Sequence, residues 1–171
     1  RNHSELILRS IGADIQINKT KKYNLITMRG QQNLKKFSLS IPGDPSSSAF
    51  FIALTLLSKG SKLKIKNINL NHFRTGFIRC LKSMNANIKI KNLKKRFGET
   101  VGDIIVKSSN LKPINFPRKE VISTIDEMPI MFIIASQIQG ISMFDNIRVL
   151  RGKESDRIKK MSENLKAFGI K

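Results

Sequence analysis

The sequence predicts an α+β fold, with helices and strands in mixed layers and a strand–helix–strand–helix unit that recurs with extra strands. Three observations carry this. The first is an internal repeat: "LRSIGADIQI" at 8–17, "LKSMNANIKI" at 81–90, and the opening of the same pattern, "LKAFGIK", at 165–171. Each copy ends an amphipathic helix, turns at a small residue or Asn, and starts a strand of alternating apolar residues. The second is a correspondence between "LLSKGSKLKIKNI" at 56–68 and "ASQIQGISMFDNI" at 135–147, where an apolar helix stops at Gly60 or Gly140 and a strand runs on to Asn-Ile. The third is a pair of helices that are apolar almost all round, at 46–58 and about 125–138, a pattern that belongs to buried helices.

Taken in order, a helix ends near Ile11, and strands follow near 14–18 and 23–29. Helix 46–58 carries Ala49, Phe50, Phe51, Ile52, Ala53, Leu54, Leu56 and Leu57. Strand 62–68 alternates Lys with Leu and Ile; helix 74–85, strand 86–91 and strand 103–107 come next. The stretches "NLKKRFGETVG" (92–102) and "KPINFPRKE" (112–120) read as polar loops. Helix 125–138 contains the run Ile130 to Ala135, and strand 141–147 and helix 153–168 close the map. Its 171 residues allow one or two compact domains. The first residue is Arg1 and the last break off where a strand is due, so the chain reads as a piece of a longer protein.

The formal charge is +20, from 32 Lys+Arg against 12 Asp+Glu. That excess asks for an anionic partner: nucleic acid, anionic membrane or phosphorylated metabolites. Lysines scattered through Asn- and Ile-rich stretches also fit a merely solvated surface. Aromatic residues make up 6% and Trp is absent, which counts against a base-stacking nucleic-acid module. No apolar run approaches the roughly 20 residues of a membrane span. Cys80 is the single cysteine, so no disulfide forms within the chain, and its apolar neighbours Phe77, Ile78 and Leu81 predict a buried, inert thiol. His3 and His72 are far apart in sequence, and no metal site is expected.

Four helix starts stand out together. "IPGDPSSSAFF" puts Asp44 at an N-cap and Pro45 at the first helical position, where a missing N–H costs nothing. "LNHFRTG" puts Arg74 at a helix start, and "STIDEMPI" puts Asp126 and Glu127 ahead of an apolar helix. "LRGKESDRI" puts Gly152 at a cap, followed by Lys153, Glu154 and Arg157. Each has a plain reading, as an ordinary cap or a salt-bridged surface turn. Yet Lys153 and Arg157 lie four apart at a helix N-terminus, whose own partial charge is positive. A bound phosphate or carboxylate would relieve that crowding.

"PGDPSSSAFFIA", "LNHFRTG", "IDEMPI" and "LRGKESDRI", in this order and at this spacing, closely resemble the 5-enolpyruvylshikimate-3-phosphate (EPSP) synthase family, and most of all its glyphosate-tolerant bacterial subgroup. "RNHSE" at the start resembles the family's "RDHTE". The resemblance covers essentially the whole chain but less than half of a family member. It implies repeated β-α-β-α-β-β units of the enolpyruvate transferase inside-out barrel. Residues 1–40 would be the end of the first lobe and 41–171 the larger part of a truncated second lobe, with the junction near Ser40 to Gly43.

The resemblance also implies a reaction: the 5-hydroxyl of shikimate 3-phosphate adds to phosphoenolpyruvate, and phosphate leaves. By matching position, Asp126 would handle the hydroxyl proton and Glu154 the methylene proton. Lys153 would lie beside the hydroxyl and the developing charge. Arg157 would bind phosphoenolpyruvate and Arg1 the shikimate phosphate, with Asp126 and Lys153 also touching shikimate 3-phosphate. No cofactor or metal is implied. The protein is expected to be a cytoplasmic monomer with small-molecule partners only, neither nucleic acid nor membrane. The 171 residues alone are expected not to turn over, because other ligand residues of the family lie outside them. A UDP-sugar enolpyruvyl transferase of the same fold is the nearest alternative, and "KESDR" argues against it. A basic nucleic-acid-binding module is the alternative from another class.

Overall fold

The computed structural model describes residues 1–170. It opens with helix α1 (His3–Ser10) and an antiparallel hairpin, β1 (Ile15–Lys19) with β2 (Asn24–Met28), paired from Ile15↔Met28 to Lys19↔Asn24. Ile11, Ala13 and Ile15 are buried where helix passes into strand, whereas every residue of β2 is exposed.

The remaining elements surround one core. Helices α2 (Pro45–Leu57) and α3 (Gly76–Ser83) pack on a three-stranded antiparallel sheet, and α4 (Met128–Ser136) packs against α2. That sheet has the order β3-β5-β4, from strands β3 (Lys62–Asn69), β4 (Asn87–Arg96) and β5 (Glu99–Lys107). Helix α5 (Arg157–Ala167) packs beside α4. Ile52, Leu56, Leu81, Met84, Ile104, Val106, Met131 and Ile134 are essentially inaccessible to solvent. Each such side chain contributes about 1.5–3 kcal/mol by leaving water. Alternation on β3 and β4 turns Lys62, Lys64, Lys66, Lys89 and Lys91 out to water, which is where much of the basic excess sits.

The internal repeat has a common backbone basis. Gly12, Asn85 and Gly169 occupy the same place in its three copies, and all have left-handed backbone (φ 99°, 71° and 79°). Past each helix end the same pair of bonds forms: Ala13 N–H to Leu8 and Gly12 N–H to Arg9, Ala86 to Leu81 and Asn85 to Lys82, Ile170 to Leu165 and Gly169 to Lys166. This is the Schellman pattern, which satisfies otherwise orphaned carbonyls and needs a residue tolerant of positive φ.

Several sequence expectations require correction. The expected loop 92–102 is a hairpin, with β4 running to Arg96 and β5 starting at Glu99. Phe97 and Gly98 form its two-residue turn, both at positive φ (48° and 75°), the geometry that matches strand twist. Strand 141–147 shrinks to one parallel bridge, Asn115↔Met143, in which Phe116 N–H donates to Met143 O and Met143 N–H to Ile114 O. Helix 125–138 begins only at Met128, with Pro129 in its first turn, and residues 118–124 ahead of it form short 3₁₀ turns. Arg74 ends the 3₁₀ turn His72–Arg74 instead of opening α3. Helix α2 is not buried all round: Ala49, Ile52, Ala53 and Leu56 face the core, while Phe50, Phe51 and Leu54 are 60–66% exposed. Nothing among the described residues covers that second face.

Candidate functional site

Two short crossings bring the helix starts together. Gly43 N–H donates to Asn67 O and Asn69 N–H to Gly43 O, tacking the entry of α2 onto β3. A side chain at Gly43 would collide with Ile68, its Cβ falling 2.6 Å from Cδ1. Asp44 then caps α2, accepting from Ser47 N–H at 2.9 Å and Ser46 N–H at 3.3 Å. The plain reading of "GDPSSS" as a cap therefore holds. Arg74 donates to Asp44 and, at 2.8 Å, to Ser46 Oγ; Ser46 Oγ in turn donates to Glu127 Oε1. Arg74 is thus a brace between helix starts.

Glu127 is the buried end of this chain, 2% exposed. Burial pushes its carboxyl up against the lowering effect of the Ser46 hydrogen bond, and the charge of neighbouring Asp126 pushes the same way. Asp126 behaves oppositely. Burial raises its carboxyl, but the hydrogen bond and charge of Arg1 and the charges of Arg157 and Arg74 outweigh this and hold it below the usual range. Two adjacent acids, one accessible and ionised and one buried and raised, are thereby separated by environment alone.

Asp126 is the hub of the predicted residues. Arg1 pairs with Asp126 Oδ2 across 125 residues of sequence. Arg157 Nη1 lies 3.7 Å from Asp126 Oδ1 and donates to Ile125 O at 3.3 Å. Arg157 Nη2 reaches Glu154 Oε2 at 3.4 Å. Arg1, Asp126, Arg157 and Glu154 therefore form one alternating chain of charges. The Glu154 carboxyl, 84% exposed, is held low by its own backbone N–H and by Arg157. Lys153 is half-buried in the turn beside it.

The tip of α5 lies further along the chain than the spacing predicts. Helix α5 starts at Arg157, and its cap is Asp156, which accepts from Lys159 N–H at 3.0 Å. Gly152 is not the cap, and Lys153 and Glu154 precede the helix, so Lys153 and Arg157 do not share a helical face. The cation at the positive helix end is answered by Asp126 and Glu154. Sequence reasoning placed Glu127 before the apolar helix but gave it no task, and it read Ser46 as part of a cap; only folding joins these two. Among the described residues no cluster of three or more His, Cys, Asp or Glu is placed to hold a metal, and no helix is long and apolar enough to cross a membrane.

An α+β scaffold whose helix starts converge on ionised acids and arginines has known counterparts. A solved EPSP synthase from Acinetobacter baumannii superposes with a TM-score of 0.89 at 36% identity, covering 97% of this chain and 37% of that one. The chain thus has the fold of part of such a synthase. A profile of the family EPSP synthase (3-phosphoshikimate 1-carboxyvinyltransferase) matches residues 1–171, and the chain belongs to that family. The 3-phosphoshikimate 1-carboxyvinyltransferase of Zymomonas mobilis is 41% identical over 170 residues, 99% of this chain and 38% of that protein. The Thermodesulfovibrio yellowstonii enzyme of the same name is 44% identical over 173 residues, 100% of this chain and 39% of that protein. The chain spans under two fifths of the length of these curated relatives.

Proposed function

We propose that the protein carrying this chain transfers the enolpyruvyl group of phosphoenolpyruvate to the 5-hydroxyl of shikimate 3-phosphate, releasing phosphate. Family membership supports the reaction, and the observation that carries it in this chain is Asp126 held between Arg1 and Arg157, with Glu154 on the far side of Arg157. The substrates are anions that compete for those arginines. Arg1 takes the shikimate phosphate and Arg157 the phosphoenolpyruvate. Each transfer strips a counter-cation from Asp126, making the carboxylate a stronger base when the hydroxyl arrives.

Asp126 accepts the hydroxyl proton as the oxygen bonds to the central carbon of phosphoenolpyruvate, and Glu154, freed from Arg157 by that ligand and protonated from solvent, delivers its proton to the methylene carbon. Lys153 steadies the developing charge. In the second half the methyl group returns a proton to Glu154, the carbon–carbon double bond re-forms, and phosphate departs with the electrons of the carbon–oxygen bond. The exposure of Glu154 suits a group that must load and unload a proton.

Residues 1–40 and 41–171 are assigned to the end of the first lobe and the larger part of the second, with the substrates between them. The 171 residues supply part of the site and do not turn over alone. The protein is read as a cytoplasmic monomer using small-molecule substrates only. The test uses the full-length protein. Asp126→Asn and Glu154→Gln each lower turnover at least about 100-fold, the scale of a lost general acid or base. Arg157→Ala chiefly weakens phosphoenolpyruvate binding in calorimetry. Near-normal turnover in both acid variants would reject the assignment.

A further inference from the structure

Arg1 must be aimed at Asp126 from the end of α1, and α1 is a poor mount. None of its eight residues is fully buried, and Leu6, Ile7 and Leu8 are only half-buried, so apolar packing holds it loosely. A polar clasp holds its N-terminal end. Asn2 stands at the N-cap position but its side chain makes no capping bond. Instead, Asn2 Oδ1 accepts from Asn71 Nδ2 at 2.8 Å, forgoing an interaction that commonly stabilises a helix start. The next residue, His3, pairs through Nδ1 with Glu99 Oε1. Asn71 Nδ2 also donates to Glu99 Oε2 at 3.1 Å, so one amide joins both halves. The Asn71 side chain is itself locked, because its Oδ1 accepts from Phe73 N–H at 2.9 Å.

We propose that Glu99 and Asn71 are positioning residues: through His3 and Asn2 they orient the start of α1 so that Arg1 meets Asp126. This rests on the assignment of Arg1 to substrate phosphate made above. Glu99 is 5% exposed and Asn71 6% exposed. A buried carboxylate is costly unless hydrogen-bonded, and neither Lys nor Arg shares this one. The Phe97–Gly98 turn delivers Glu99 to α1. A Cβ on Gly98 would sit 3.1 Å from Leu6 O, so the turn lies directly on the helix. Beside the clasp is a cavity of about 310 Å³ lined by His3, Ile7, Ile41, Asp44 and Glu99 among others. With open space on that side, the hydrogen bonds hold the N-terminal end of α1, while the Gly98 turn packs against its middle. A shift of about 1 Å at a guanidinium is enough to spoil a phosphate contact.

Asn71→Ala, Glu99→Ala and the conservative Glu99→Gln are made in the full-length protein, each alone and with Arg1→Ala. Two quantities are read: the titration of the Asp126 carboxyl by NMR without ligand, and calorimetric binding of shikimate 3-phosphate and phosphoenolpyruvate separately. Asn71→Ala and Glu99→Ala are expected to move the Asp126 titration upward, because Arg1 no longer holds it down. They weaken shikimate 3-phosphate about tenfold, leave phosphoenolpyruvate within about twofold, and add nothing in the Arg1→Ala background. Glu99→Gln restores part of the loss. An unmoved Asp126 titration, or losses that add fully to Arg1→Ala, would overturn the clasp. A moved titration with unchanged ligand binding would uphold the clasp and refute Arg1 as a phosphate ligand.

Discussion

Replacing Glu120 by Gln should cost the folded chain about 2–3 kcal/mol at neutral pH and very little in acid. Glu120 is 8% exposed at the end of the 3₁₀ turn Arg118–Glu120, and α3 grips it through Arg79. Arg79 Nε donates to Oε1 at 2.9 Å and Nη2 to Oε2 at 2.7 Å, a bidentate pair, and Ser123 Oγ adds a bond of 2.6 Å. Chiefly through the Arg79 hydrogen bond, and against the opposing effect of burial, the carboxyl falls from 4.5 to about 2. At about 1.36 kcal/mol per pH unit the pair contributes about 3 kcal/mol. The 31% exposure of Arg79 trims this through solvent screening. The folded pKa lies below the unfolded one, so the contribution is complete above about 4.5 and disappears as pH falls towards about 2. Urea unfolding of both proteins at pH 7 and pH 3 reads it directly. The gap between them should shrink to about half or less at pH 3. An equal gap at both pH values, or none at pH 7, would refute the reasoning. The stakes reach the site, because residues 118–124 lead straight into Asp126.

Gly76→Ala should destabilise by about 2–4 kcal/mol, since its Cβ would fall 2.1 Å from Ser123 Oγ and 2.9 Å from the Ser123 carbonyl carbon, a backbone atom that cannot swing aside. Scanning calorimetry should show the melting temperature lowered by roughly 4–16 °C for a chain of this size. Cys80 is 1% exposed, and burial, helped by the charge of Glu120, pushes its thiol up to about 12. A thiol reagent at pH 8 should label it at least about 1000-fold faster in urea than in the native state, and fast native labelling would contradict the burial.

The parts written in local chemistry were legible in the sequence. The Asp44-Pro45 cap, the alternation of β3 and the Gly12, Asn85 and Gly169 stops depend on neighbouring residues, and the structure has each where the pattern puts it. The parts that depend on distant partners were not. Residues 92–96 are exposed and lysine-rich, so no alternation announces that they pair with β5, and Phe97 at positive φ is an unusual turn residue. Helix α5 loses its expected first turn because Asp156, not Gly152, supplies the cap, although "SDR" carried that signal. The motif residues at the site were recognisable, but the Ser46–Glu127 bond spans 81 residues and the His3–Glu99 pair 96, distances over which no periodicity speaks.

The self-paired arginines bear on which anions could displace a carboxylate from them. With 32 Lys and Arg against 12 acids, stray polyanions will gather on its surface. Arg1 and Arg157, however, are already spoken for by Asp126 and Glu154, and a visitor gains them only by out-competing a carboxylate. A phosphodiester, with a single diffuse charge per link, makes a weak bid. A terminal phosphate, with roughly two charges and three oxygens on one compact head, makes a strong one. On the proposed assignment of these arginines, internal rivalry of this kind favours a small, densely charged anion over a polyanion.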